Sequence, residues 1–296
     1  MPFVRPASLL SSLTTLRLGG RAAAECRLDN EEELDACGRQ ISTLGLPVFV
    51  LGGGSNILAQ DGELPLLLVR PNFLQQPEVL DEKDGKVIVR AGASVRLSHL
   101  LAKCSAWGLS GLEGLVGIPG TVGGAVAMNA GSYGCEIAPL LHSLRIWSPG
   151  TGLKNVFPAQ WEFAYRYFGL TEITTYFFIL SASFCLTRTS SNGIRDSMRL
   201  NFLKKKSTQP VFAWSAGCAF KNPSPELSAG LLLDEAGFKG KGLGGMVFSP
   251  MHANFLVNEG KGSANAAFDL LAQAQEMVQR RSGVSLHLEI KVLPCS

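Results

Sequence analysis

The chain has 296 residues, 46% of them hydrophobic and 17% charged, which is enough to bury a sizeable core and to form two or three domains. Its 27 basic residues against 24 acidic ones leave a net charge of +3, too even a balance to argue for a nucleic-acid partner. Seven cysteines (26, 37, 104, 135, 185, 218 and 295) are odd in number and lack CxxC spacing, and four scattered histidines lack HExxH spacing, so neither a disulfide framework nor a metal is expected.

The N-terminal stretch MPFVRPASLLSSL has no clear apolar core with a cleavage site. Pro47-Val48-Phe49-Val50-Leu51 reads as a short buried strand that empties into Gly52-Gly53-Gly54-Ser55-Asn56, followed by Ile57 and Leu58. A strand ending in consecutive glycines is a candidate pyrophosphate cradle, because glycine lets a ligand approach the backbone N–H groups. The dinucleotide fingerprint needs a glycine where Ile57 stands, and the P-loop needs Gly-Lys-Ser/Thr, so neither familiar motif fits. Leu66 to Arg70 and Lys86 to Ala91 read as strands. Ser94 to Trp107 reads as a helix: Val95, Leu97, Leu100, Leu101 and Cys104 approximate helical spacing, Ser94 stands at the N-cap and Gly108 at the stop. Residues 117–131, GIPGTVGGAVAMNAG, hold five glycines and one proline among small apolar residues, with Asn129 the only amide and no ionisable group. Such a segment offers backbone and little else. Glycine runs also make ordinary turns, but two of them together suggest one large, flat, phosphate-bearing cofactor held between two loops.

Farther on, Leu144 to Ser148 and Phe177 to Leu186 read as strands, and the apolar stretch around Tyr176 to Leu186 is far short of the ~20 residues of a membrane span. The protein is expected to be soluble, cytoplasmic and away from membranes. Thr187 to Arg195 is polar and turn-rich, which makes it the expected hinge between a cofactor-binding part and a substrate part. Lys204-Lys205-Lys206 reads as a solvated surface, although a diphosphate passing nearby would welcome it. Near the C-terminus Ala267, Leu270, Leu271, Ala274 and Val278 form a helical stripe, with Arg280 and Arg281 in the last turn and Gly283 as the stop. In His287 to Val292, alternation puts Leu288, Ile290 and Val292 on one face of a strand and His287, Glu289 and Lys291 on the other.

Five segments carry a resemblance: LGGGSNIL at 51–58, GLEGLVGIPGTVGGAVAMNAGSYG at 111–134, SAGCAFKNP at 215–223, LLLDEAGFKGKGLGG at 231–245 and HANFLVNEG at 252–260. In order and spacing they resemble the UDP-N-acetylenolpyruvoylglucosamine reductase family, MurB, across most of the chain. The resemblance implies an α+β fold: an FAD-binding part of the vanillyl-alcohol-oxidase type over 1–190, made of two α+β subdomains at about 1–70 and 71–190, and an α+β substrate domain over 196–296. The length suits the shorter subclass, which lacks an extra tyrosine-bearing loop. The implied reaction is reduction of UDP-N-acetylglucosamine enolpyruvate to UDP-N-acetylmuramate, with non-covalent FAD and NADPH, by a protein that is expected to be a monomer with small-molecule partners alone. FAD is then held by Gly52, Gly53, Gly54, Ser55, Asn56 and Ile57, and by Gly117, Ile118, Pro119, Gly120, Gly123, Gly124, Ala127 and Asn129.

Three residues carry the chemistry that the resemblance implies. Arg166, in Phe163-Ala164-Tyr165-Arg166-Tyr167, reads by itself as stacked filler or as a planar fork for a carboxylate. The family motif makes it the group that stabilises charge on the enolpyruvyl unit, with Tyr165 beside it in contact with substrate. Phe168 departs from the family, which usually has a small hydroxyl residue there. Cys218 reads by composition as a small core residue. The resemblance places the proton donor on it, usually a serine; a thiol of ordinary pKa ~8.5 is mostly protonated at neutral pH and a better acid than an alcohol. Glu289 reads as a solvent-facing strand charge, and the resemblance turns it toward the substrate double bond. Lys221 and Asn222 match substrate-contacting positions. The residues leave open a flavin oxidase of small alcohols or sugars, and a flavin or nucleotide-sugar binder without activity.

Overall fold

The expected strands lie inside or overlap longer ones, Glu63–Pro71, Lys86–Gly92, Leu141–Ser148 and Phe178–Arg188, in a computed structural model that describes residues 3–173 and 175–294. By its contacts the chain forms two units. Unit 1 holds the residues up to Arg5, Ala24–Gly53 and Leu67–Lys204; unit 2 holds Pro6–Ala23, Gly54–Leu66 and the chain from Lys205 onward. Unit 2 thus takes two segments from the N-terminal part of the sequence, and the contact units do not coincide with the expected 1–190 and 196–296.

In unit 1 the strand Phe178–Arg188 lies between Leu141–Ser148 and Lys86–Gly92 in a six-stranded antiparallel sheet. Its residues 178–184 are all buried, Ser181 and Ser183 included, so burial does not alternate along the run. Two helices, α1 (Leu34–Leu44) and α2 (Leu97–Ala106), bury one face each. Leu34, Cys37 and Ile41 of α1 join Cys26, Leu28, Val69 and Trp147 in one cluster. Gly38 lies within α1 because a Cβ there would stand 2.3 Å from the Trp147 ring. The helix α2 corrects one expectation: Arg96 holds the N-cap position, while Ser94 Oγ donates to the Pro71 carbonyl at 2.8 Å and accepts the Phe73 N–H at 3.0 Å. A hydroxyl that can bond outside its own turn does not have to cap. Glu25, fully buried, accepts from Arg5 at 2.8 Å and from Arg70 at 3.0 Å, which compensates a charge that would otherwise be costly inside.

The expected hinge is instead the end of the strand Phe178–Arg188 and the beginning of a helix, Ser191–Thr208 (α4, following a short α3 at Val122–Ala127). Its Ser, Asn and Gly residues read as a turn, but Ile194 is buried and Met198, one turn on, packs against the unit 1 core. Packing of that stripe overrides weak local propensity. The division between the units falls within α4, after Lys204.

Unit 2 contains a four-stranded sheet in the order Ser215–Cys218, Phe255–Asn258, Met246–Phe248, Gly242–Leu243, all antiparallel neighbours, and a parallel pair of Ile57–Ala59 with Lys291–Leu293. The helices α5 (Ala229–Glu235) and α6 (Ala264–Ser282) accompany it. The α6 stripe of Ala267, Leu270, Leu271, Ala274 and Val278 is at most 2% exposed, Ser263 caps the N-terminus by accepting from the Ala266 N–H, and Gly283 at φ 71° closes the end. Burying each leucine is worth about 2 kcal/mol, more than any propensity difference along the helix. No helix of the described residues is long and apolar enough to cross a membrane, and no disulfide links the six described cysteines; Cys295 lies outside the described residues.

Candidate active site

The two glycine runs meet in unit 1. A Cβ on Gly53 would stand 2.7 Å from Gly120 Cα, and one on Gly52 2.7 Å from Thr121 Oγ1, so the runs pack backbone to backbone where no side chain fits. Gly117 and Gly120 take φ of 79° and 115°, which glycine alone adopts without strain. Gly52 and Gly53 are exposed, and their N–H groups, with that of Gly120, donate to nothing among the described residues. Backbone donors with no partner among the described residues, on a surface without side chains, fit a phosphate-bearing cofactor such as FAD. Ile118 is half-buried, and Pro119 and Ala127 are exposed in the same run.

Other glycines of the run serve packing. Gly123 donates its N–H to the Ala93 carbonyl at 2.8 Å, and its Cβ would meet that of Ala93 at 2.9 Å, while the Gly124 N–H is taken by Thr121 Oγ1 at 3.3 Å. Asn129 is 3% exposed at φ 39°; its amide nitrogen donates to the Ala164 carbonyl at 3.3 Å and its oxygen accepts the Ala138 N–H at 3.1 Å. The amide therefore ties the glycine run to the hairpin that bears Arg166.

That hairpin joins Trp161–Ala164 to Tyr167–Leu170 through Tyr165 and Arg166. Arg166 sits at φ 57°, a left-handed conformation that costs a non-glycine residue about 1–2 kcal/mol. Its guanidinium lies over the Tyr165 ring, 4.8 Å from the centroid, and donates to the Gly131 carbonyl at 3.4 Å. Backbone held in such a conformation is often met at functional sites. Phe168 faces the core, 8% exposed, with its ring 5.0 Å from that of Phe163 and 6.0 Å from that of Phe177. The departure from a hydroxyl residue is absorbed by aromatic packing.

In unit 2 three distant pieces of sequence converge. Gly54, at φ 63°, would drive a Cβ to 2.1 Å from the Leu13 carbonyl oxygen, and its own carbonyl accepts the Thr15 N–H at 3.0 Å. Asn56 donates from its side chain to the Glu289 carbonyl at 3.1 Å and accepts the Lys291 N–H at 3.0 Å; Ser55 between them is half-buried. Ile57 begins the parallel pair with Lys291 and is 7% exposed. The Glu289 N–H donates to the Ala219 carbonyl, and the Lys221 N–H to the His287 carbonyl, each at 2.8 Å. The segments that carry Cys218 and Glu289 are thereby bonded to each other in unit 2, whereas Arg166 belongs to unit 1. The predicted strand at His287 to Val292 is interrupted: only Lys291–Leu293 is regular, and Leu288 makes an isolated bridge to Phe220. The backbone there bends to serve the 218–221 segment on one side and Asn56 on the other.

Cys218 follows Gly217, at φ 79°, where the register with Phe255–Asn258 shifts between Ser215 and Cys218. Such a bulge re-aims a side chain out of the ladder, and Cys218 is half-buried at that point. Asn222 accepts the Ala229 N–H at 3.1 Å, helping to close the start of α5 and leaving its amide N–H₂ for a ligand. The lysine run is the expected solvated surface at Lys204 and Lys206, which are exposed, but not at Lys205. Lys204 lies over the Tyr133 ring at 5.4 Å, Lys206 over the Phe212 ring at 5.9 Å, and Lys205 is buried at 3% exposure.

Sequence reasoning missed the residues that hold these pieces. Thr15 Oγ1 donates to the Ser215 carbonyl at 2.6 Å, and Thr121 Oγ1 accepts the Gly124 N–H while standing where a Cβ on Gly52 would go. Asn254, 2% exposed, accepts the Phe220 N–H at 2.9 Å, donates to the Phe220 carbonyl at 2.8 Å and accepts the Ala219 N–H on its own carbonyl at 2.7 Å. Asn254→Ala should lower unfolding stability by about 2–4 kcal/mol, because two buried backbone groups lose their partners at about 1–3 kcal/mol each. Urea unfolding followed by circular dichroism checks this; a loss under about 0.5 kcal/mol would mean that water replaces the amide.

Comparison with known proteins gives consistent matches. A family model described as an FAD binding domain matches residues 22–153, and one described as the C-terminal domain of UDP-N-acetylenolpyruvoylglucosamine reductase matches residues 209–293. The UDP-N-acetylenolpyruvoylglucosamine reductase of Nitratidesulfovibrio vulgaris is 53% identical over 284 residues, 96% of each chain. That of Oleidesulfovibrio alaskensis is 48% identical over 295 residues, 99% of each. The crystal structure of UDP-N-acetylenolpyruvylglucosamine reductase (MurB) from Thermus caldophilus aligns with a TM-score of 0.82 at 34% identity, covering 99% of this chain and 100% of that one.

Proposed function

The chain belongs to the UDP-N-acetylenolpyruvoylglucosamine reductase family, and from that premise we propose how its residues divide the reaction. It is a flavin-dependent oxidoreductase that reduces UDP-N-acetylglucosamine enolpyruvate to UDP-N-acetylmuramate in peptidoglycan precursor synthesis, with NADPH as hydride donor. Bound FAD supplies the hydride chemistry. What supports the cofactor assignment most is the bare backbone surface of Gly52 and Gly53, which are exposed and where a Cβ would meet Thr121 and Gly120. We assign FAD binding to 1–190 and substrate binding to 196–296; the matched spans 22–153 and 209–293 support that division of labour.

Arg166 holds the enolpyruvyl carboxylate with its planar fork and stabilises the negative charge that spreads from it during reduction. The turn and the Tyr165 ring fix the guanidinium before substrate arrives, so little reorganisation is needed. Cys218 gives its thiol proton to the carbon next to that carboxylate, leaving the lactyl ether. Glu289, on the adjoining segment, completes the charge environment of that carbon. Lys221 and Asn222 extend the surface toward the rest of the UDP-sugar. We place the enzyme in the cytoplasm as a monomer; seven cysteines, odd in number and without CxxC spacing, suit a reducing compartment.

The test is direct. The purified protein should be yellow, release its flavin on denaturation, bleach with NADPH and recover colour on addition of the enolpyruvyl substrate. A colourless protein that cannot be reconstituted with FAD would end this reading. Gly53→Ala should weaken FAD binding by about tenfold, about 1.4 kcal/mol, because its Cβ meets the Gly120 backbone and not a movable side chain. Fluorescence titration of the apoprotein measures this, and an unchanged Kd would remove Gly53 from the cradle.

A further inference from the structure

Cys26 and Cys37 are two thiols that the reaction described above does not use. Cys26 lies on the strand Arg21–Leu28 and Cys37 in the first turn of α1, and each is 0% exposed. Both belong to the cluster in which α1 packs in unit 1, together with Leu28, Leu34, Ile41 and Val69. Their Sγ atoms stand 2.7 Å apart, near the S–S bond length of about 2.05 Å, so bonding them requires little movement of either element. Cys26 is the more acidic of the two. The hydrogen bond from Cys37 holds it below the ordinary thiol value against the effect of burial, the Arg5 guanidinium adds to this, and the same bond pushes Cys37 up. Access to the pair runs through α1. Glu33 at the N-cap position makes no side-chain bond to the first turn, and Gly38, one residue beyond Cys37, puts a weak helix former inside an 11-residue helix. Opening of that turn, on a scale smaller than unfolding, uncovers Cys37 and the sulfur behind it.

We propose that Cys26 and Cys37 form a reversible oxidative modification site, which hydrogen peroxide converts to an intramolecular disulfide that staples α1 to the strand Arg21–Leu28. The Cys26 sulfur attacks one peroxide oxygen, the O–O bond breaks, and the other oxygen leaves as water with the Cys26 proton, so that Cys26 becomes a sulfenic acid. The Cys37 sulfur then displaces the remaining oxygen, which leaves as water with the Cys37 proton. Two S–H bonds and one O–O bond are exchanged for one S–S bond and two O–H bonds; the sulfurs are oxidised and the peroxide oxygens reduced. A dithiol reductant reverses the change by thiol–disulfide exchange. In a reducing compartment the pair stays as thiols and closes under oxidative stress, the setting in which transient disulfides occur there. The two cysteines are 11 positions apart, so the bond takes freedom from the unfolded chain around a contact that the folded chain already makes. Neither thiol takes part in the proposed reduction, and the outcome does not depend on that reading.

The test maps the bond in the native protein. Purified protein is reduced, freed of reductant, exposed to hydrogen peroxide under conditions that leave its circular dichroism unchanged, alkylated in denaturant with iodoacetamide and digested with trypsin. Cleavage after Arg27 and Arg39 puts Cys26 on peptide 22–27 and Cys37 on peptide 28–39, so the bond appears as one linked peptide, lighter than the two free peptides together by two hydrogens. That peptide should be the main form of both cysteines after peroxide, absent before it, and lost on treatment with dithiothreitol. The oxidised protein should unfold about 4 °C or more above the reduced one. Cys26→Ser and Cys37→Ser should each abolish the linked peptide and the difference in unfolding; if a serine variant does not fold, the alanine variant gives the same two readings. Cys26 and Cys37 recovered on separate, alkylated peptides after peroxide would overturn the proposal, and so would a linked form that unfolds no later than the reduced protein.

Discussion

Cys218→Ala should slow reduction of the enolpyruvyl substrate by about 10²–10⁴-fold, the range that general acid catalysis contributes. The alanine removes the thiol proton and little else: the residue is half-buried at a bulge, and its backbone neighbours are fixed independently by Asn254 and by the Glu289 N–H. Folding and flavin binding should therefore survive, and NADPH should still bleach the flavin. Cys218→Ser should retain turnover, because a hydroxyl at the same bulge presents a proton along the same direction. Substrate should also protect wild-type Cys218 from alkylation. Stopped-flow oxidation of the reduced protein by substrate reads the effect. Near-wild-type rates in the alanine variant would return Cys218 to a packing role and leave Glu289 as the proton source.

Arg166 should show the second large effect, and its strained turn separates function from stability. Arg166→Lys replaces a planar fork by a point charge and should slow substrate reduction by at least about 10²-fold, as loss of a preorganised electrostatic contact does. Arg166→Gly should be at least as slow, yet its stability should stay within about 1 kcal/mol of wild type. Relief of the left-handed strain gains about 1–2 kcal/mol, against about 0.5–1 kcal/mol for the backbone entropy of glycine and a similar amount for the lost stack on Tyr165. Thermal unfolding and half-reaction kinetics on the same preparation decide the matter. If the glycine variant unfolds several degrees earlier, or if flavin reduction by NADPH falls as far as substrate reduction, the residue is structural.

Much of the site is legible before any coordinates because its chemistry depends on residue types that announce themselves. Gly53 against Gly120 is a close backbone approach, and only glycine permits it, so the runs stand out in the letters. The α6 stripe and the strand Phe178–Arg188 are legible for the same reason: their burial demands one pattern. The geometry of Arg166 is not legible, because Tyr-Arg is no turn dipeptide; its positive φ is imposed by the pairing on either side and by the Asn129 tether. The helix α4 is hidden because a single buried stripe, Ile194 and Met198, supports an otherwise polar and turn-like run. Nor can local pattern reveal that Asn56, Cys218 and Glu289 share one place, since backbone bonds between far-separated segments bring them there. Pro6–Ala23 joins unit 2 in the same way, through Thr15 on Gly54 and on Ser215, a choice made by tertiary contacts after the local structure forms.

The most direct measurement is an anaerobic reaction of the purified protein with equal amounts of NADPH and UDP-N-acetylglucosamine enolpyruvate, with the sugar nucleotide followed by mass spectrometry. One NADPH should be consumed for each UDP-N-acetylmuramate formed, a product heavier than the substrate by two hydrogens. A flavin that NADPH reduces, that oxygen reoxidises and that leaves the enolpyruvyl ether unchanged would contradict it.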